Sequence, residues 1–194
     1  MGLDLDNLDW EIIRDLQRDG RTTFKKLGET IGFTGLGAKK RVENLLEQDV
    51  IKVSALVNAE KLNLRLAIVL LETENVEAMR RIVDRFKDCP RVINFFTTLG
   101  GYNLVALMMA EDQDTLESEC MENCSLRGCE GIRRSEFYPI CNIYYSSFLP
   151  LKGYGTSKER TITPCNVDCR FCLGYQDQKC VGCPATKCYR GPLR

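Results

Sequence analysis

The feature that most constrains this chain is a cluster of cysteines near its end. Six cysteines fall between Cys165 and Cys188, and few aliphatic residues lie among them. A segment this small without an apolar core usually needs a metal or disulfides to hold it together. The chain has 11 cysteines and no histidine. Because its N-terminus lacks a basic stretch followed by an apolar one, we expect a cytoplasmic protein without a disulfide framework. The tail is therefore predicted to bind a metal through thiolates.

The spacing of these cysteines leaves two metal groups open. Two CxxC pairs supply the four thiolates of a tetrahedral Zn²⁺ site. The Cys-x3-Cys-x2-Cys triplet resembles the loop that holds a [4Fe-4S] cluster in radical-SAM enzymes, and Cys183-Pro184 resembles ferredoxin loops in which proline follows a ligand. Because five or six thiolates exceed the needs of one zinc ion, the [4Fe-4S] cluster is favoured and Zn²⁺ is the alternative. The candidate ligands are Cys165, Cys169, Cys172, Cys180, Cys183 and Cys188, with the first three plus Cys180 or Cys183 preferred.

Apolar stripes at helical spacing predict three helices within residues 1–58. The stripes are Leu8, Ile12, Ile13 and Leu16; Phe24, Leu27 and Ile31; and Ala38, Val42, Leu45 and Leu46. Asp6 or Asn7 and Thr34 are placed to cap the first and third helices, and Gly32 ends the second. Residues 49–57 are predicted to form a turn and a β wing. This order is typical of a winged helix-turn-helix domain that binds DNA.

The hydrophobic pattern changes over residues 59–149. Its elements are an apolar strand at 64–71, a helix from Val76 to Phe86, strands at 92–98 and 102–110, a helix opened by Asp114, and β-like segments at 132–140 and 142–148. The order βαββαβ predicts an α+β, ferredoxin-like domain. The continuous apolar strand is typical of burial on both faces or at an interface. Residues 150–194 are predicted to be a linker and the cysteine-rich tail.

The third predicted helix carries the residues expected to meet double-stranded DNA. Its N-terminal end is small enough for close approach to bases, and a run of three cations follows for phosphates. Cations at the second helix are within reach of the same backbone. The candidate contacts are Arg21, Lys25, Thr34, Gly35, Lys39, Lys40 and Arg41. The alternative is that the basic run is a solvated face, with Arg41 bonded inside the domain.

Three stretches resemble the Lrp/AsnC (feast/famine) transcription regulators. They are LDNLDWEIIRDLQRDGR at 5–21, LGETIGFT at 27–34 and KRVENLLEQDVI at 40–51. The resemblance extends over about residues 3–148. It implies a winged helix-turn-helix joined to a βαββαβ effector domain, homodimers built on the sheets of that domain, and often octamers. It also places Thr34, Lys39, Lys40 and Arg41 at the DNA.

One hairpin departs from the family's pattern. The family commonly has Gly-acid-Tyr-Asp where amino acids bind between subunits, whereas this chain has Gly100, Gly101, Tyr102 and Asn103. These four residues are the candidate effector site. Because neither carboxylate is present, an amino-acid effector is disfavoured, and the tail becomes the favoured entry point for a signal.

Cysteines outside the tail are interpreted mainly as structural. Cys120 and Cys124 are four residues apart, so they are expected on one helix face with Leu116, in the core. The alternative is a second metal site or a redox pair with Cys129 or Cys141. Cys89 is expected to be structural.

Together these features predict a DNA-binding transcription regulator modulated by a C-terminal [4Fe-4S] cluster that senses redox state, oxygen or iron. The alternatives are an Lrp/AsnC-type regulator with structural zinc and a small-molecule effector, and a zinc-held protein-interaction module. The chain lacks a nucleotide-binding loop and convergent carboxylates, so it is not expected to be an enzyme. No apolar run approaches the length of a membrane span, and no membrane partner is expected.

Overall fold

The computed structural model describes residues 5–152 and 159–193, which belong to two compact units, Met1–Ala55 and Leu56–Arg194. The predicted α+β class is confirmed, with three helices in the first unit and a four-stranded sheet with helices in the second. Most of the predicted linker, residues 153–158, lies outside the described residues. Among the described helices, none has the length and apolarity that crossing a bilayer requires.

The first unit consists of α1 (Asn7–Arg18), α2 (Phe24–Ile31) and α3 (Gly35–Glu47). Each helix begins at a side-chain cap. Asp6 forms a capping box with Asp9 at α1, Thr23 accepts from the Lys26 amide at α2, and Thr34 accepts from the Gly37 amide at α3. The predicted caps of α1 and α3 are therefore confirmed.

The predicted apolar stripes meet in one small core. Its buried members are Ile12, Ile13, Leu27, Ile31, Ala38, Val42 and Leu45. A Cβ on Gly28 would lie 2.7 Å from the carbonyl oxygen of Phe33, so the turn after α2 approaches that helix as closely as backbone allows. Leu46, which was predicted to be buried, is 39% exposed. It lies next to the buried stripe of α3 but faces solvent.

The predicted β wing is wrong for most of its length. Residues 50–56 form no strand, and only Val57–Asn58 (β1) pairs, with Phe148–Leu149 (β6). A strand needs a partner for its backbone groups, and none is available nearby in sequence. Val50 and Ile51 instead pack against the helical core.

The second unit is built on a four-stranded antiparallel sheet. Its elements are β2 (Arg65–Thr73), α4 (Val76–Phe86), β3 (Val92–Thr97), β4 (Leu104–Ala110), α5 (Gln113–Met121) and β5 (Ile132–Pro139). The strand order is β3-β4-β2-β5, and all neighbours run antiparallel. This is the predicted βαββαβ arrangement.

The two faces of the sheet differ in burial because side chains alternate along each strand. On one face, Val69, Leu71 and Leu104 pack against Ile82 and Phe86 of α4. On the opposite face the chain leaves apolar side chains in solvent, and Ile68, Phe96 and Tyr138 are 37%, 50% and 50% exposed. The apolar strand predicted at 64–71 is thus buried on one face and open on the other in the single chain.

Two further predictions about the second unit are wrong. Residues 142–147 form no strand, and only Phe148–Leu149 of the last β-like segment pairs. α5 ends at Met121, because the chain turns into extended backbone at Glu122. Cys124 therefore lies beyond the helix and does not share a face with Cys120.

We predict that Gly131→Ala destabilises the second unit. Gly131 has φ +84°, and a Cβ there would lie 2.6 Å from the Cβ of the fully buried Ala78 on α4. The left-handed backbone alone should cost about 1–2 kcal/mol in free energy of unfolding, before the overlap is added. Denaturant unfolding followed by circular dichroism measures it.

The matched control is Gly128→Ala, since a Cβ at Gly128 meets nothing within 4 Å. If both variants unfold at the same denaturant concentration, the close approach of α4 to Gly131 does not matter for stability.

Candidate DNA interface and cysteine site

The N-terminal end of α3 is fixed against α2. A Cβ on Gly35 would lie 3.2 Å from the Cα of Lys25, so only the smallest residues fit at this contact. The Thr34 hydroxyl accepts a hydrogen bond of 3.2 Å from the Gly37 amide. The structure therefore brings three predicted contacts, Lys25, Thr34 and Gly35, to one place.

The predicted cations of this region are not equivalent. Lys25, Lys39 and Lys40 are exposed. Lys39 forms only a surface ion pair with Glu43 at 3.6 Å. Arg21 has a side chain that is 94% exposed, beside Asp19. These four cations are available to an approaching polyanion.

Arg41 has a different role from its neighbours. Its Nη1 lies 2.9 Å from Asp6 and 2.8 Å from Asp9, and its guanidinium stacks over the Phe33 ring at 5.7 Å. The hydrogen bond to Asp9 raises the pKa of Arg41. The Asp9 amide and Arg41 together lower the pKa of Asp6. Arg41 thus joins α3 to the cap of α1, which is the internal bonding considered as the alternative.

The candidate effector hairpin is bonded within its own domain. The Asn103 side chain accepts from the Thr73 amide at 2.9 Å and donates to the Thr73 carbonyl at 3.1 Å. Tyr102 donates to Glu136, and Arg134 lies 4.4 Å from the Tyr102 ring. Gly100 and Gly101 are exposed. Asn103 therefore joins the hairpin to the end of β2 through hydrogen bonds to the backbone of Thr73.

The cysteine-rich tail is docked on the helical side of the second unit. Arg85 donates to the Cys165 carbonyl at 3.1 Å, and Ser118 donates to the Lys179 carbonyl at 3.0 Å. The Glu122 carboxylate accepts from the Gly174 amide at 2.8 Å. Cys165 and Val167 are buried in the same apolar cluster as Phe86. The tail therefore belongs to the core of this unit.

Local turns in the tail direct its thiols inward. A short 3₁₀ turn, Cys169–Phe171, is followed by α6 (Leu173–Gln176). Gly182 has φ +81°, and a Cβ there would lie 2.6 Å from the Cys188 carbonyl oxygen. Glycine is thus required within the second CxxC, where the chain folds back on itself.

Seven cysteines line one small cavity between the tail and the domain. The cavity measures about 30 Å³. Its thiols come from Cys165, Cys169, Cys172, Cys180 and Cys183 of the tail, and from Cys89 and Cys124 of the domain. The structure therefore brings together five of the six predicted ligands, and Cys188 lies outside the lining. Within residues 5–152 and 159–193, no three Cys, Asp or Glu side chains are arranged as ligands of one metal ion.

Burial favours the protonated form of five of these thiols. It raises the pKa of Cys89 to about 12 and that of Cys172 to about 11, and it raises the pKa of Cys183 further. The pKa values of Cys124 and Cys169 are raised for the same reason. Thiols become metal ligands by losing their protons, so a metal entering this cavity would displace protons from it.

A buried charge network adjoins the cavity. Arg91 lies 2.7 Å from Glu111 and 2.9 Å from Glu119, and it donates to the Gly182 carbonyl of the tail at 2.6 Å. The Nε–H of Arg91 is not directed at Glu119, so neither oxygen of the Glu119 carboxyl has a hydrogen-bond partner. Burial raises the pKa of Glu119 to about 8. Burial by itself would lower the pKa of Arg91, but the two carboxylates outweigh it and raise that pKa.

The sequence interpretation missed four residues at this site. Cys89 was expected to be merely structural and Cys124 to lie in a helix core, yet both line the cavity with the tail thiols. Arg91 and Glu119 gave no signal, because charged residues are ordinarily exposed. The remaining cysteines separate from the site. Cys120 accepts from Arg127 at 2.8 Å, Cys129 is buried beside Arg85, and Cys141 is exposed.

Comparisons with known proteins agree with this architecture. Residues 5–46 match the family model of the AsnC-type helix-turn-helix domain. The N-terminal unit is an AsnC-type helix-turn-helix domain. The transcriptional regulator AzlB of Bacillus subtilis is 27% identical over 138 residues, which is 67% of this chain and 88% of that protein.

Solved structures of the Lrp/AsnC type share the fold. Escherichia coli AsnC matches with a TM-score of 0.63 and 18% identity, over 73% of this chain and 95% of that one. A Neisseria meningitidis regulator, NMB0573 in complex with L-Met, matches with a TM-score of 0.65 and 20% identity, over 76% and 97%. These regulators are thus covered almost completely, while about a quarter of this chain has no counterpart in them. The chain thus has an AsnC-type helix-turn-helix domain, is similar to transcription regulators over about two thirds of its length, and carries additional sequence.

We predict that Arg91→Ala strongly destabilises the second unit. The change leaves Glu111 and Glu119 buried, at 0% and 3% side-chain exposure, without their countercharge. Removing one partner of a buried pair typically costs about 3–5 kcal/mol in free energy of unfolding. Thermal and urea unfolding of the full chain measures the loss.

Arg134→Ala serves as the matched control for Arg91. Arg134 pairs with Glu72 at 3.6 Å while 57% exposed, and such surface pairs contribute about 0–1 kcal/mol. Equal losses for the two variants would contradict the importance of the buried network.

Proposed function

We propose that this chain is a regulator of the AsnC/Lrp type whose DNA binding is modulated by a [4Fe-4S] cluster held by its cysteine tail. The observation that carries the proposal is the convergence of five tail thiols on one cavity of the domain. Iron–sulfur clusters are held by cysteine thiolates, which suits a chain without histidine. Assembly or loss of the cluster, in response to redox state, oxygen or iron, would be the signal.

DNA contact is assigned to the exposed end of α3 and its surroundings. Thr34 and Gly35 offer a small surface for close approach, and Lys25, Lys39 and Lys40 are exposed cations for phosphates. Arg21 is a further exposed cation of the same unit. Arg41 would support the interface by fixing α3 to α1 rather than by direct contact.

Homodimerisation is assigned to the open face of the sheet. Ile68, Phe96 and Tyr138 are exposed side chains on three strands of this face, and burying them against a second copy would remove them from water. The tail docks on the other side, through Arg85 of α4 and Ser118 of α5. A change in the tail would therefore reach the dimer through the helices and the sheet. Two recognition helices must be spaced by about 34 Å to read adjacent half-sites, so a small rotation of subunits changes DNA affinity.

Zinc with a small-molecule effector is the alternative. Both CxxC pairs, Cys169 with Cys172 and Cys180 with Cys183, line the cavity and would suit four-thiolate zinc ligation. The two candidates differ in iron and sulfide content, which makes metal analysis of the purified chain decisive between them.

We predict that Lys40→Ala weakens binding to duplex DNA of any sequence. Losing one phosphate contact should reduce the slope of log affinity against log salt by about 1. Fluorescence anisotropy with a labelled duplex at several salt concentrations measures both quantities. Arg14→Ala, which removes an exposed cation from α1, is the control and should change neither. Equal losses in the two variants would argue against α3 as the DNA-contacting helix.

We predict that anaerobically purified protein is brown and contains iron and sulfide. Replacing both Cys169 and Cys172 by serine should abolish the iron and sulfide, since two thiolates of the site are lost. DNA affinity should differ between cluster-loaded and cluster-free protein. In the double variant, DNA affinity should no longer depend on treatment with iron and sulfide. A colourless preparation with stoichiometric zinc would support the alternative. A cluster whose loss leaves DNA affinity unaltered would make the tail a structural element only.

A further inference from the structure

We propose that Cys89 and Cys124 are metal ligands, so that the domain and the tail hold one metal group jointly. This inference rests on the proposed function, in which the tail thiols bind a metal, and it changes where the ligands come from. The sequence suggests a self-contained tail site. The structure instead surrounds the cavity with thiols from both parts of the chain.

The two domain cysteines lie in rigid turns beside the tail. Cys89 follows α4, where its amide donates to the Phe86 carbonyl at 3.0 Å and its carbonyl accepts from the Val92 amide at 3.3 Å. Cys124 follows α5, and the next residue, Ser125, bonds back to the Glu122 carbonyl at 2.7 Å. Both thiols are thus presented by backbone that is fixed independently of the tail.

The cysteine placed between the two parts is Cys165. It is 3% exposed and belongs to the apolar cluster against which both Cys89 and Cys124 pack. Arg85 holds the Cys165 carbonyl at 3.1 Å and so fixes this junction. Three cysteines from three separate segments therefore line the same cavity.

Joint ligation has a consequence that a tail-only site lacks. If Cys89 and Cys124 bind the metal, then metal occupancy ties the tail to the ends of α4 and α5 by coordinate bonds. Losing the metal would leave the tail docked by hydrogen bonds such as those of Arg85, Arg91 and Ser118 and by the burial of Cys165 and Val167. The metal would thus act directly on the helical layer of the domain.

The test uses the full chain loaded anaerobically with ferrous iron and sulfide, and in parallel with Zn²⁺ alone. Metal retention against a chelator is compared for Cys89→Ala, Cys124→Ala, Cys169→Ala and the parent. We expect both domain variants to lose metal affinity by at least roughly tenfold, the lower end of what even groups supporting a metal's ligands contribute. Cys129→Ala is the matched control, because Cys129 is also buried near Arg85 but does not line the cavity.

Thiol alkylation of the unmutated chain, read by mass spectrometry, keeps the proposal testable should a variant fail to fold. Loading the metal should slow the alkylation of Cys89 and Cys124, relative to the metal-free chain, together with that of the tail cysteines, while the exposed Cys141 reacts equally in both. Metal lost from Cys169→Ala but fully retained by Cys89→Ala and Cys124→Ala would overturn joint ligation and leave the tail site standing. A parent chain that binds neither iron nor zinc would overturn both proposals.

Discussion

The buried guanidinium of Arg91 is the interaction on which the second unit depends. Arg91 directly precedes β3, Glu111 directly follows β4, Glu119 lies on α5, and Gly182 belongs to the tail. One side chain thus joins two strands, a helix and the cysteine-rich segment. Ion pairs removed from water contribute through geometry more than through net energy, because desolvation offsets most of their attraction. In this structure the ion pairs of Arg91 fix the position of the tail, so that its thiols face the domain.

Sequence patterns predicted the local structure well where a single segment determines it. The caps at Asp6 and Thr34 and the end of α2 at Gly32 follow from backbone groups that only nearby residues can satisfy. The βαββαβ order follows from the change in hydrophobic period. The cysteine spacing identified five residues that the fold gathers around one cavity.

The predictions that were wrong or incomplete share a different cause. Each concerns residues whose structure depends on a partner remote in sequence. Residues 50–56 are extended in pattern but find no neighbouring strand. Arg41 lies in a basic run, yet its partners are carboxylates at the start of α1. Cys89 and Cys124 have no metal-ligand spacing of their own and join the other thiols only after the tail docks. Such long-range contacts are determined by tertiary packing, which the periodicity of a single sequence does not encode.

The short pairing of β1 with β6 has a mechanical consequence. Val57 lies opposite Leu149, and Asn58 opposite Phe148, so the chain enters and leaves the sheet domain side by side. An isolated two-stranded pair is only marginally stable, so the pairing of β1 with β6 can open at little cost in free energy. The two ends of the stretch that contains the sheet, Val57 and Leu149, are therefore held together by two residue pairs within the second unit.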